Sequence, residues 1–138
     1  LCSMYPLFNR KQHKKSTEGL NKKIKNETGY ELRENLLETL LNFIKPNTRI
    51  FGIIGFDYDS YLIFTDQYFL AIRENGSILG EYSINEIDNI EYHQVFLKKE
   101  IIIEIRDNIY TFNKISDSET AEQVVNRVIN QIQFNDYI

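Results

Sequence analysis

Three aspartates, Asp57, Asp59 and Asp66, crowd into one polar-punctuated stretch, "DYDSYLIFTD". Alternating carboxylates in a turn are the oxygen donors a calcium ion prefers. The longer ligand loop with a closing glutamate does not follow, so these aspartates read as solvated turn residues. Glu100 and Glu104 flank an isoleucine run, where alternation on a strand turns both outward rather than toward one another. His93 has no serine or cysteine nucleophile near it, and the single cysteine is Cys2. With only His13 and His93 as imidazoles, a zinc site built from Cys and His is not expected. The six glycines are scattered, so no phosphate-cradling loop forms. The expectation is a non-catalytic chain with no cofactor and no metal.

Two groups of residues remain that could bind rather than react. The first is basic: Arg10, Lys11, Lys14, Lys15, Lys22, Lys23 and Lys25. Residues 1–30 carry a net charge of +5 and residues 31–138 carry −9. Such a segment can meet phosphates or an anionic lipid surface. Its plainest reading is a solvated leader drawn weakly to its own acidic body. Nucleic acid is not expected, because the body is acidic and no stacking aromatics interleave with the lysines.

The second group is apolar. "HQVFLKKE" sets Val95, Phe96 and Leu97 in a loop between two strands. The plain expectation is that they tuck into the core. Exposed, they would form a protein or membrane contact.

The elements that position these groups follow from periodicity. Residues 1–29 lack a sustained pattern and read as a basic, flexible tail with a short helix near Glu18 to Asn26. "ELRENLLETLLNFIKPN" repeats Leu32, Leu36, Leu37, Leu40, Leu41 and Ile44 at helical spacing, and Pro46 ends it. Short runs rich in aromatic and β-branched residues follow: "RIFGIIGF", "YLIF", "YFLAIR", "SILGEYS", "IDNIEYHQV", "EIIIEIR" and "IYTFN". Polar pairs such as Thr65-Asp66 and Asn75-Gly76 mark the corners between them. "SDSETAEQVVNRVINQI" ends the pattern as a one-sided helix, with Ser116 and Glu119 spaced as a capping box. A hydrophobic share of 42% is ordinary for a globular domain of 138 residues, and one cysteine permits no internal disulfide.

The succession "NLLETLLNFIKPNTRI", "FGIIG", "LIFTDQYFLAI", "SINEIDNIEY", "IIIEI", "IYTF" and a final helix resembles the bacterial pleckstrin-homology-like domains. The resemblance covers about residues 31–133. Asn47-Thr48-Arg49 departs from the Gly-Glu step common in that family. The resemblance implies a mainly β fold with helices: a bent seven-stranded antiparallel barrel capped by a C-terminal amphipathic helix and preceded by an N-terminal helix. Residues 1–29 would be the tail and 30–138 the domain. It implies no catalytic residues. Relatives of this kind bind lipids, peptides or one another. The loop matching the phosphoinositide-binding hairpin of the eukaryotic relatives is "GFDYDSY", whose Asp57 and Asp59 repel phosphate.

The expected function is a cytoplasmic binding or scaffolding module for a protein partner or for self-assembly, acting through sheet edges and Val95–Leu97. The alternative is a peripheral membrane adaptor whose basic tail meets anionic lipid.

Overall fold

A computed structural model describes residues 4–136, with side chains from 16 to 133. In chain order the elements are α1 (Met4–Thr28), α2 (Glu34–Leu40), β1 (Ile50–Phe56), β2 (Ser60–Thr65), β3 (Tyr68–Arg73), β4 (Ile78–Ser83), β5 (Ile87–Val95), β6 (Lys98–Ile105), β7 (Asn108–Asn113) and α3 (Ser118–Asp136). The strands form two antiparallel meanders, β1-β2-β3-β4 and β5-β6-β7.

The expected closed barrel is not what forms. The two meanders are separate sheets of a sandwich, because a tight turn at Ile84–Glu86 interrupts the ladder between β4 and β5. That turn is held by Ser83 and Glu86. The Ser83 amide donates to the Glu86 carboxylate at 2.8 Å, and the Ser83 hydroxyl accepts from the turn in return. At the other margin β1 meets only the end of β7. The Asp57 amide donates to the Asn113 and Lys114 carbonyls, and the Ser116 amide donates to the Gly55 carbonyl.

Strands β1 to β3 of the first sheet are buried on both faces, while β4 is largely exposed. Phe51, Ile54, Phe56, Leu62, Phe64 and Phe69 face Ile90, Ile101, Ile103 and Ile105 of the second sheet, with Val124, Val125 and Val128 of α3 closing that core. Ile53, Ile63, Leu70 and Ile72 point the other way, onto Leu36, Leu37 and Leu40 of α2 and onto Leu20 and Ile24 of α1. A strand buried on both sides reads as a continuous apolar run, which is why "IFGIIGF" and "FLAI" do not alternate.

The N-terminal segment departs from its reading as a tail. The backbone is helical from Met4 to Thr28, and Leu20 and Ile24 belong to the second core. The spacing of these two residues puts them on one helix face, and the sheet surface beneath supplies the burial that makes the helix persist. Lys22, Lys23 and Lys25 therefore stand on a docked helix. Arg10, Lys11, Lys14 and Lys15 lie within α1, and their side chains fall outside the described residues.

Two smaller differences are physical in origin. α2 stops at Leu40, before the end of its leucine pattern. The chain then turns so that Phe43 and Ile44 still reach the core, and Lys45 and Thr48 close a tight turn leading into β1. At the last helix the cap is Asp117 rather than Ser116. Asp117 accepts from the Thr120 amide at 3.2 Å and from the Thr120 hydroxyl at 2.8 Å. The Ser116 hydroxyl instead donates to the Gly55 carbonyl, fixing the start of α3 to β1.

Candidate functional site

β5 and β6 pair in register from Asn89↔Glu104 to Val95↔Lys98, leaving Phe96-Leu97 as a two-residue loop. Loops this short need a positive φ, which Asn and Gly adopt at little cost. Here the residue with positive φ is Phe96, at 55°. The two-residue β6–β7 loop uses the polar Arg106 and Asp107 at its positive φ positions, and the three-residue β1–β2 loop has Asp57 and Tyr58 there. A bulky residue in this region costs about 1–3 kcal/mol and persists only where its surroundings or function hold it.

The side chains at this tip are exposed rather than tucked in. Phe96 is 93% exposed, Leu97 95% and Val95 63%. The plain expectation that they join the core is thus overturned. Burial along the hairpin stops at Ile90 on β5 and Ile101 on β6, and the strands continue beyond these residues, so the end of the hairpin projects past the core.

The tip opens onto a groove of about 470 Å³ lined by Leu97, Lys99, Tyr58, Tyr61, Lys114 and Ser116, among others. The Lys114 ammonium lies 4.9 Å from the centre of the Tyr58 ring and 3.8 Å from the Asp57 carboxylate. Tyr58 is itself 88% exposed. Burial pushes the Tyr61 hydroxyl above the ordinary tyrosine value, which keeps it a hydrogen-bond donor. Lys98 reaches back to Glu100 at 3.7 Å. The surface is an aromatic and aliphatic projection beside a groove that holds two ammonium groups.

Of the remaining residues singled out by spacing, His93 and Glu100 are brought side by side and the aspartates are not. Asp57 and Asp59 sit at one end of β2 and Asp66 at the other, so the strand separates them. The Asp59 carboxylate accepts from the Ser60 hydroxyl. His93 pairs with Glu91 at 2.9 Å and lies opposite Glu100 in the β5–β6 ladder, with Asn113 on the other side of Glu100. Among the described residues no three His, Cys, Asp or Glu side chains gather as a metal site. Of the basic residues with described side chains, Lys23 pairs with Glu27 at 2.8 Å and Lys25 with Glu31 at 2.7 Å, while Lys22 is exposed. No helix among the described residues is long and apolar enough to cross a membrane.

Sequence reasoning pointed to Val95–Leu97 but missed Tyr58 and Lys114. Each of these is brought beside the tip only when β1, β2 and the end of β7 meet. No family model matches the chain, and no curated protein matches it.

Proposed function

We propose that the chain is a non-catalytic module of the pleckstrin-homology-like kind that docks to a protein partner through the β5–β6 tip. The order of elements supports the fold part of this reading: a four-stranded meander, a three-stranded meander and a terminal amphipathic helix packed on β1 and β5. The observation that carries the docking part is Phe96. Folding alone favours a small or polar residue at its φ, yet the position holds a solvent-facing phenyl ring next to an equally exposed leucine.

Magnitudes limit what the tip does by itself. Burying Phe96 and Leu97 on a partner is worth about 1.5–3 kcal/mol each. Association costs about 4–15 kcal/mol before any net affinity appears. The tip therefore acts together with the adjoining groove, where Tyr58 and the two lysines add contact area and select a partner with complementary acidic groups.

The alternative of a membrane adaptor has weaker support. Two of its lysines are engaged in ion pairs, and part of the segment is packed on the domain.

The test is photocrosslinking from position 96 in the native cell, with the double variant Phe96→Asn, Leu97→Gly as the competitor. A discrete crosslinked protein, displaced by excess wild-type domain and not by the variant, is the expected result. Displacement by both equally would remove the tip from the interface.

A further inference from the structure

Four strands end the two sheets: β1 and β4 in the first, β5 and β7 in the second. The β1 edge is taken: its Phe51 carbonyl accepts from Arg127, its Gly55 carbonyl accepts from Ser116, and its register shifts between Ile50 and Gly52. An open edge presents a row of unpaired amides and carbonyls, and natural proteins guard such edges with charge, proline or a bulge. β4 carries Glu81 and a register shift opposite Ala71/Ile72. β5 carries Asp88, Glu91 and a register shift between Ile87 and Asn89. β7, "NIYTFN", has none of these: no charged residue, no proline and an unbroken register from Ile105↔Asn108 to Glu100↔Asn113.

The alternation of the ladder says which groups of β7 are free. The Ile105↔Asn108 pair closes a two-residue loop, so it exchanges hydrogen bonds, as do Ile103↔Tyr110 and Ile101↔Phe112 in turn. Ile109, Thr111 and Asn113 therefore aim their backbone groups away from β6. The Asn113 carbonyl agrees, since it accepts from the Asp57 amide. Ile109 and Thr111 are left with outward donors and acceptors, and the Ile109 side chain is 70% exposed.

We propose that β7 is a self-pairing edge, along which two copies of the chain join antiparallel about a two-fold axis at Tyr110. This rests on the strand edge and is independent of the hairpin-tip reading. In that register Ile109 lies opposite Thr111 of the other copy, and each residue's outward amide and carbonyl find partners. The facing side chains are a β-branched pair, which favours antiparallel strands. The choice of a second copy follows from charge. A two-fold axis sets an edge against itself, and of the three edges not taken up within the chain only β7 avoids bringing its own carboxylates close together, as those of β4 or β5 would be. One short strand pair covers less than the roughly 1,200 Å² of a stable interface, so the dimer is weak and reversible.

The experiment is sedimentation equilibrium over about a hundredfold range of concentration, on wild type, Thr111→Pro and Ile109→Lys. The proline removes an amide that faces away from β6, so the ladder within the chain is kept. The lysine changes an exposed side chain and serves as the second probe should the proline perturb the fold, which circular dichroism reports. The wild-type mass is expected to rise from 16.4 kDa toward twice that. Both folded variants are expected to stay at the monomer mass, and Phe96→Asn, Leu97→Gly is expected to associate as wild type does. A wild-type mass constant across the range would overturn the proposal. So would association that survives both β7 substitutions, or that is lost with the tip instead.

Discussion

Val124 of α3 occupies the space that a side chain on Gly52 of β1 would need. A Cβ built at Gly52 would fall 2.2 Å from Val124 Cγ2. The helix thus lies directly against the backbone of the first strand, and Arg127 adds a hydrogen bond to the Phe51 carbonyl at 3.0 Å. This close approach is what makes α3 part of the sandwich core rather than an attachment to it.

Gly52→Val should therefore push α3 off its seat. Overpacking of this kind costs about 1–3 kcal/mol or more. Chemical denaturation should show the loss, and the paired substitution Gly52→Val, Val124→Ala should recover part of it. An unchanged midpoint in the single variant would contradict the packing described.

Ile24 of α1 is fully buried against α2 and the first sheet. Ile24→Ala should cost about 2–5 kcal/mol, as expected for a large-to-small change in a core. The same change at exposed Lys22 should be nearly silent. If residues 16–28 made no contribution to the core, both variants would unfold alike in denaturant. For the same reason, a charge effect of the basic segment is best tested by substituting Lys22 and its neighbours, because deleting 1–29 also removes Leu20 and Ile24 from the core.

Asp117 is held below the ordinary carboxylate range, first by the hydrogen bond from the Thr120 hydroxyl and then by the Thr120 amide. A lowered folded pKa means that the cap's contribution is present above the unfolded value of about 3.9 and disappears as pH falls through the folded one. Asp117→Ala should cost about 0.5–2 kcal/mol near neutrality and much less in acid. Urea unfolding of both proteins across that range checks it; a gap that stays constant into acid would count against the cap.

The alkaline side depends on the contact between sheets. The Tyr82 and Tyr110 rings lie 5.8 Å apart, and the neighbouring Tyr110 hydroxyl, with burial second, raises Tyr82 above the ordinary 10.0. A raised folded pKa gives stability that is complete below the unfolded value and is lost as pH rises through the folded one. Tyr110→Phe should weaken the alkaline decline without abolishing it, since burial also raises Tyr61 and Tyr92. An alkaline limb identical to wild type would show that the pair does not link the sheets.

Much of the architecture is legible in the residues themselves. The isoleucines at 101, 103 and 105 alternate as a half-buried strand must, and the valines of α3 recur at helical spacing. Thr65 forms the corner its position suggested, its hydroxyl accepting from the Gln67 and Tyr68 amides. Three features were hidden for physical reasons. A short helix near Glu18 to Asn26 was legible, but not its length or its docking, because Leu20 and Ile24 are buried by a sheet face formed far along the chain. Separation into two sheets depends on hydrogen-bond geometry at Ile84–Glu86, which composition does not encode. The exposure of Phe96 and Leu97 depends on where the β5–β6 register closes, and an apolar loop reads the same whether buried or projecting.

The central claim is that Phe96-Leu97 is kept for docking at the expense of the turn. The most direct test measures stability and partner capture on the same double variant, Phe96→Asn, Leu97→Gly. Asparagine suits the positive φ of position 96 and should relieve roughly 1 kcal/mol there, which offsets the backbone entropy that glycine loses at position 97, where φ is not positive; the fold should be no less stable than wild type in urea unfolding, while crosslinking capture by the wild-type domain is no longer competed. A variant that is less stable than wild type and still competes fully for the partner would contradict the account.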